Sequence, residues 1–118
     1  MEEGYVTVNI ETSPSKRNLK IITIDGSFDS FTSIKVDEKV LPIIEREQSN
    51  FILNLSNLIY LSSMGILRLL KYLASMTDQK RLFKLVRPPD HVYNTLVAAG
   101  IAKYFDMYDS LEAAKGSF

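Results

Sequence analysis

Ser62 and Ser63, followed by Met64 and Gly65, stand between the apolar run Phe51-Ile52-Leu53-Asn54-Leu55 and a stretch of helical periodicity. This spacing puts two hydroxyls where a strand hands over to a helix. The first four N–H groups of a helix lack partners inside it and carry the positive end of its dipole, so a hydroxyl oxygen or a phosphate ester is favoured there. Esterification of one serine would add about −1.5 to −2 charges and three acceptor oxygens, enough to recode the surrounding surface. Serine is also among the best N-cap residues, contributing about 1 kcal/mol over alanine, so capping and modification are the two uses open to this pair. Met64 has two uses as well: its flexible, polarizable side chain suits a gap in a core and equally a protein-binding face.

Other reactive groups are sparse. With no cysteine in the chain, thiolate catalysis, disulfides and thiolate zinc sites are absent together. His91, the single histidine, follows Asp90 without metal-ligand spacing or a serine elbow, and reads as a surface residue at a helix start. Gly26 and Gly65 are isolated, so no phosphate-cradling loop is present, and neither an enzyme nor a bound cofactor or metal is expected. Lys80-Arg81, Lys84 and Arg87 form the densest basic stretch. Alternation along a strand puts Lys84 opposite Phe83 and Leu85, which predicts a solvated edge. Asn54 interrupts an apolar run, so its amide must find hydrogen-bond partners. Asp29, three residues before Thr32, has the spacing of a helix N-cap.

The elements that must hold these groups follow from periodicity. Tyr5 to Glu11 and Leu19 to Ile24 read as two strands of a hairpin around the Thr12-to-Asn18 turn cluster, the second stopped at Asp25-Gly26. Val36, Val40, Ile43, Ile44 and Glu47 fall at helical spacing, and Pro42 inside that pattern predicts a kink or a late start. Phe51 to Leu55 suits a central parallel strand covered on both faces. From Gly65, a stripe of Ile66, Leu69, Leu70, Leu73 and Met76 predicts a helix packed on the sheet, with Arg68, Lys71 and Asp78 away from it. Leu82 to Val86 is the next strand, and Val92, Leu96 and Ala99 mark a helix stopped by Gly100. A short strand over Phe105 to Tyr108 leads to a last helix, through Leu111 and Ala114, opened by a capping box of Asp109 and Glu112. The alternation predicts a single α/β domain over residues 1–118, a mixed and mostly parallel sheet of about five strands with about four helices.

Composition narrows the function further. At 118 residues, 46% of them hydrophobic, the chain is long and apolar enough to fold on one core. Equal numbers of basic and acidic residues, fourteen of each, leave no bulk field to gather nucleic acid or an anionic membrane. The opening Met1-Glu2-Glu3-Gly4 is acidic, and no run approaches the roughly 20 apolar residues of a membrane span, so a cytoplasmic protein is expected.

The stretch Asn54-Leu55-Ser56-Asn57-Leu58-Ile59-Tyr60-Leu61-Ser62-Ser63-Met64-Gly65-Ile66-Leu67-Arg68-Leu69-Leu70 resembles the signature of the STAS family, the anti-sigma-factor antagonists of bacterial partner-switching systems. The likeness runs from about Tyr5 to Ala114 and implies the same order of elements. It implies that Ser63 accepts phosphate from a partner kinase. Ser62 stands where many members carry Asp, and Met64 where a smaller residue is usual. Gly26-Ser27-Phe28-Asp29 matches a Gly-x-x-Asp feature near the acceptor loop, which implies a place for Asp29 on the rim of the binding surface. Asn54, where Asp or Asn is usual, would bond to that loop. The resemblance thus implies a non-enzymatic module that docks through Asp29, Ser62, Ser63, Met64 and Gly65 on an ATP-binding anti-sigma factor with serine kinase activity. Phosphorylation would end the docking, and a serine phosphatase would be a further partner. The alternative, favoured by Ser62, is an unphosphorylated scaffold subunit of a signalling assembly or of an ATP-driven lipid-transport complex.

Overall fold

β-Branched residues at alternate positions, with a turn cluster between them, give the hairpin from which the sheet grows. A computed structural model describes residues 5–118; Met1-Glu2-Glu3-Gly4, whose acidity argued against a secretory leader, lies outside them. Strands β1 (Val6–Thr12) and β2 (Leu19–Phe28) pair antiparallel over seven positions without a bulge. Helix α1 (Ser33–Arg46) then returns the chain for β3 (Asn50–Asn54), which lies parallel to β2. β4 (Leu58–Leu61) pairs with the last residues of β2, taking over where β3 leaves off. Helix α2 (Ser63–Asp78), β5 (Phe83–Val86), helix α3 (Asp90–Ala98), a 3-10 turn at Ala102–Tyr104, β6 (Asp106–Tyr108) and helix α4 (Leu111–Gly116) complete the fold. The sheet order is β1-β2-β3-β5-β6, with only β1 antiparallel.

The two sheet faces are unequally covered. Helices α1, α2 and α3 bury Val36, Val40, Ile44, Leu69, Tyr72, Met76, Val92 and Leu96 against Ile22, Ile24, Leu53 and Leu85. On the opposite face the short α4 covers a smaller core of Leu19, Ile21, Ile52, Val86 and Ala114. β3 is the middle strand, and Phe51, Ile52 and Leu53 are fully buried, as a run without a wet face requires.

Several expectations are corrected. Among the described residues the sheet has six strands, because Leu58–Leu61 forms β4; its ends are buried and its middle pair exposed, a pattern with neither strict alternation nor a continuous apolar core. β2 does not stop at Asp25-Gly26 but runs on to Phe28. Gly26 supplies the reason, with φ +103° and a place where a Cβ would fall 2.3 Å from the Tyr5 carbonyl oxygen. α1 begins at Ser33 and runs unbroken through Pro42, neither late nor interrupted; the acceptor Pro42 leaves free is the carbonyl of Glu38, an exposed residue. The last helix is capped by Ser110, whose Oγ accepts from Ala113 N–H at 3.0 Å, and not by Asp109.

Lys84 is the largest correction. It does face away from Phe83 and Leu85, but α4 and the residues after it cover that face, so Lys84 is 8% exposed rather than a solvated edge residue. Its ammonium donates to Ser117 Oγ at 2.8 Å and to the Ser117 carbonyl at 3.2 Å, and lies 4.6 Å from the centre of the Phe118 ring. Arg68 is likewise drawn inward. The α2 face that packs on the sheet centres on Gly65, Leu69, Tyr72 and Met76, leaving Ile66, Leu70 and Leu73 half-buried.

Candidate functional site

Because β2, β3, β4 and β5 are parallel, their C-terminal ends and the N-termini of α1, α2 and α3 gather at one end of the molecule. There the hand-over from β4 to α2 occupies four residues. Ser62 is the N-cap: its backbone is extended, its Oγ accepts from Gly65 N–H at 3.4 Å, and its carbonyl accepts from Ile66 N–H at 2.9 Å. Its own N–H donates to the Phe28 carbonyl at 3.0 Å, which fixes the start of α2 to the end of β2. Gly65 lies on the same carbonyl, where a Cβ would fall 2.4 Å from the oxygen.

The cap and the candidate acceptor are therefore different serines. Ser62 is half-buried and engaged, whereas Ser63, the first residue of α2, is exposed and its hydroxyl has no partner among the described residues. Met64 is half-buried, between the two uses open to it. The first turn of α2 contains no acidic residue, so nothing in that turn neutralises the positive end of a 16-residue helix.

Asp29 shapes the neighbouring loop. Its Oδ1 accepts from the N–H groups of Phe31 at 2.9 Å and Thr32 at 3.1 Å, and Thr32 Oγ1 accepts from Asp29 N–H and donates to the Ser27 carbonyl. This reciprocal arrangement closes the turn before α1; it does not make Asp29 the helix N-cap its spacing suggested, since the N-cap position has no side-chain cap bond. Thr32, not Asp29, is the residue immediately before α1. Asn54 does not bond to the Ser62–Gly65 loop: its Oδ1 accepts from the N–H and hydroxyl of Ser56, closing its own turn between β3 and β4. His91 is exposed at the second position of α3, and its Nε2 lies 2.6 Å from the Ile59 carbonyl oxygen, tying α3 to β4.

Sequence reasoning missed the apolar side chains that open at this end. Phe31 stands in the turn before α1, Ile34 in the first turn of α1, Ile59 and Tyr60 on β4, and Leu67 on α2 one turn past Ser63, each more than half exposed. A signal was present, since Ile66-Leu67 and Leu69-Leu70 supply more apolar positions than a helix needs for one buried face. Separate large apolar side chains are ordinary on a surface; these five lie in segments that lead into or open α1 and α2, and such exposure suits a protein contact.

Behind this surface a polar group locks α1 to α2. Tyr72, fully buried, donates its hydroxyl to Asp37 Oδ1, and Arg68 Nε lies 3.1 Å from Asp37 Oδ2. Burial first, and the hydrogen bond to the Asp37 carboxylate second, push the Tyr72 phenol well above its ordinary pKa.

A family model described as STAS domain matches residues 8–114. No curated protein sequence matches. Among solved structures, an anti-sigma factor antagonist from Mycobacterium paratuberculosis superposes with a TM-score of 0.78 at 19% identity, covering 96% of this chain and 93% of that one. The anti-sigma factor antagonist SpoIIAA in its unphosphorylated form gives 0.76 at 17% identity, covering 94% and 96%. The Bacillus cell fate determinant SpoIIAA in its phosphorylated form gives 0.71 at 16%, covering 95% and 100%. At these identities the likeness is one of fold.

Proposed function

The chain belongs to the STAS domain family, and on that premise we propose that it is an anti-sigma-factor antagonist-like switch that docks on a protein partner and is released by phosphorylation of Ser63. One observation carries this reading: a free hydroxyl on the first residue of α2, among exposed apolar side chains, on a helix start held rigidly to the sheet. The unmodified face would bury Phe31, Ile34, Ile59, Tyr60 and Leu67 against an anti-sigma factor with serine kinase activity, freeing a sigma factor. A phosphate on Ser63 would bring about −1.5 to −2 charges and their hydration into that contact, where desolvation opposes docking. A serine phosphatase would return the chain to its docking form. The module itself needs no catalytic group, and cytoplasmic transcriptional control is its setting.

Incubation with the cognate kinase and ATP tests this. Intact mass should show one phosphate on the wild-type chain and none on Ser63→Ala. Ser63→Asp should weaken partner binding by tenfold or more, about 1.4 kcal/mol. Phosphorylation of Ser63→Ala as complete as wild type would refute the site assignment. Unchanged cellular output from Ser63→Ala, with binding lost in Met64→Glu, would favour the unphosphorylated scaffold suggested by Ser62.

A further inference from the structure

Natural sheets blunt their edges with short strands, lysine, proline, bulges or inward charges. The two edges here differ. β6 is three residues long and begins with the exposed Asp106, whereas β1 is seven residues, Val-Thr-Val-Asn-Ile-Glu-Thr, with no lysine, no proline and an uninterrupted register. Among the described residues no strand lies on its outer side.

The outward groups of β1 follow from its pairing with β2. Ser27 N–H donates to the Tyr5 carbonyl and Ser13 N–H to the Leu19 carbonyl, so the odd-numbered residues form the hydrogen-bonded pairs of this antiparallel ladder. The even-numbered residues, Val6, Val8, Ile10 and Thr12, therefore aim their backbone N–H and C=O groups at solvent. A second antiparallel strand must present its own outward residues opposite these. β1 itself does so when a twofold axis passes beside Asn9. Val8 then exchanges two hydrogen bonds with Ile10 of the second copy, and Val6 with its Thr12. Asn9 meets Asn9 in a pair without hydrogen bonds.

The side chains agree with this register. Val8 and Ile10, half-buried against the main core, would each cover the other's remaining apolar surface on the helix-bearing face. The single charge of the strand, Glu11, falls opposite Thr7, so no like charges meet. The groove between β1 and α1, lined by Val6, Val8, Lys35, Glu38 and Lys39, lies beside the position of the added strand. We infer that β1 is a homodimerisation edge, joining two copies into one continuous sheet through antiparallel pairing centred on Asn9.

Sedimentation and cross-linking test this. The wild-type chain should associate to a dimer with rising concentration. Val8→Pro removes only an outward N–H and spares the bonds to β2; it should keep the wild-type circular dichroism spectrum and raise the dimer dissociation constant about tenfold or more. Since the chain has no cysteine, Asn9→Cys reports the axis directly. Paired residues without hydrogen bonds have Cα atoms about 4.5 Å apart, within disulfide reach, so mild oxidation should give a covalent dimer from Asn9→Cys and none from Thr7→Cys. A wild-type chain monomeric at its solubility limit, a Val8→Pro dimer as tight as wild type, or equal cross-linking of Thr7→Cys would overturn the proposal.

Discussion

Gly65 sits where the start of α2 meets the end of β2, and its missing side chain is what lets them meet. Alanine at a helix interior ordinarily gains about 1 kcal/mol over glycine, so Gly65→Ala tests whether propensity or packing governs this position. Packing should win, because the new methyl would lie 2.4 Å from the Phe28 carbonyl oxygen, a backbone atom that cannot swing aside. We expect a net loss of about 1–3 kcal/mol in urea unfolding; a stabilised variant would show that the helix start is not seated on β2. The candidate acceptor was legible from sequence because a Ser-Ser-Met-Gly run between two element types is a local feature. Which serine caps and which stays free was not legible, since that division depends on the extended backbone at Ser62 and on where Ser62 N–H finds its partner.

Helices α1 and α2 are locked by groups that sequence periodicity assigned to solvent or did not single out. Tyr72 and Arg68 both turn toward Asp37, and no pattern within α2 signals a partner so far back in the chain on α1. Tyr72→Phe keeps the ring and removes the hydroxyl, and should cost about 1–3 kcal/mol at neutral pH because the donor bonds to a carboxylate. The pH dependence has a definite sign. The folded phenol titrates above its unfolded value near 10, so its contribution is complete below pH 10 and is lost as pH rises beyond it, where the unfolded chain ionises and the folded one resists. Stability of the wild type should therefore fall toward that of Tyr72→Phe above pH 10. A constant gap across that range, measured as paired urea midpoints, would remove the buried phenol from the account. Pro42 teaches the same lesson: inside an amphipathic pattern its helix-breaking tendency gives way to burial of Val36, Val40 and Ile44.

Over the whole molecule, the sheet is covered by three helices on one face and by α4 with its following residues on the other. That second cover is thin, and Lys84 holds it from beneath by bonding to Ser117 and lying against the Phe118 ring. Lys84→Ala should lower global stability by about 1–3 kcal/mol and raise the hydrogen exchange of α4 amides more than those of α2. Equal exchange in α4 of both proteins would mean that the lysine contributes nothing to closing this face.

Taken alone, the chain sequence determined the alternation of strands and helices apart from β4, the central place of Phe51–Leu53, the single α/β domain and the serine-bearing junction. Each of these rests on periodicity or turn chemistry within about ten residues, where neighbouring side chains share one environment. Only the tertiary structure decided the pairing of β4 with the end of β2, the burial of Lys84, the turn that Asn54 closes on itself and the exposure of Phe31, Ile34, Ile59, Tyr60 and Leu67. Those depend on which distant element covers a given face, and coverage is a property of packed layers that no local pattern encodes.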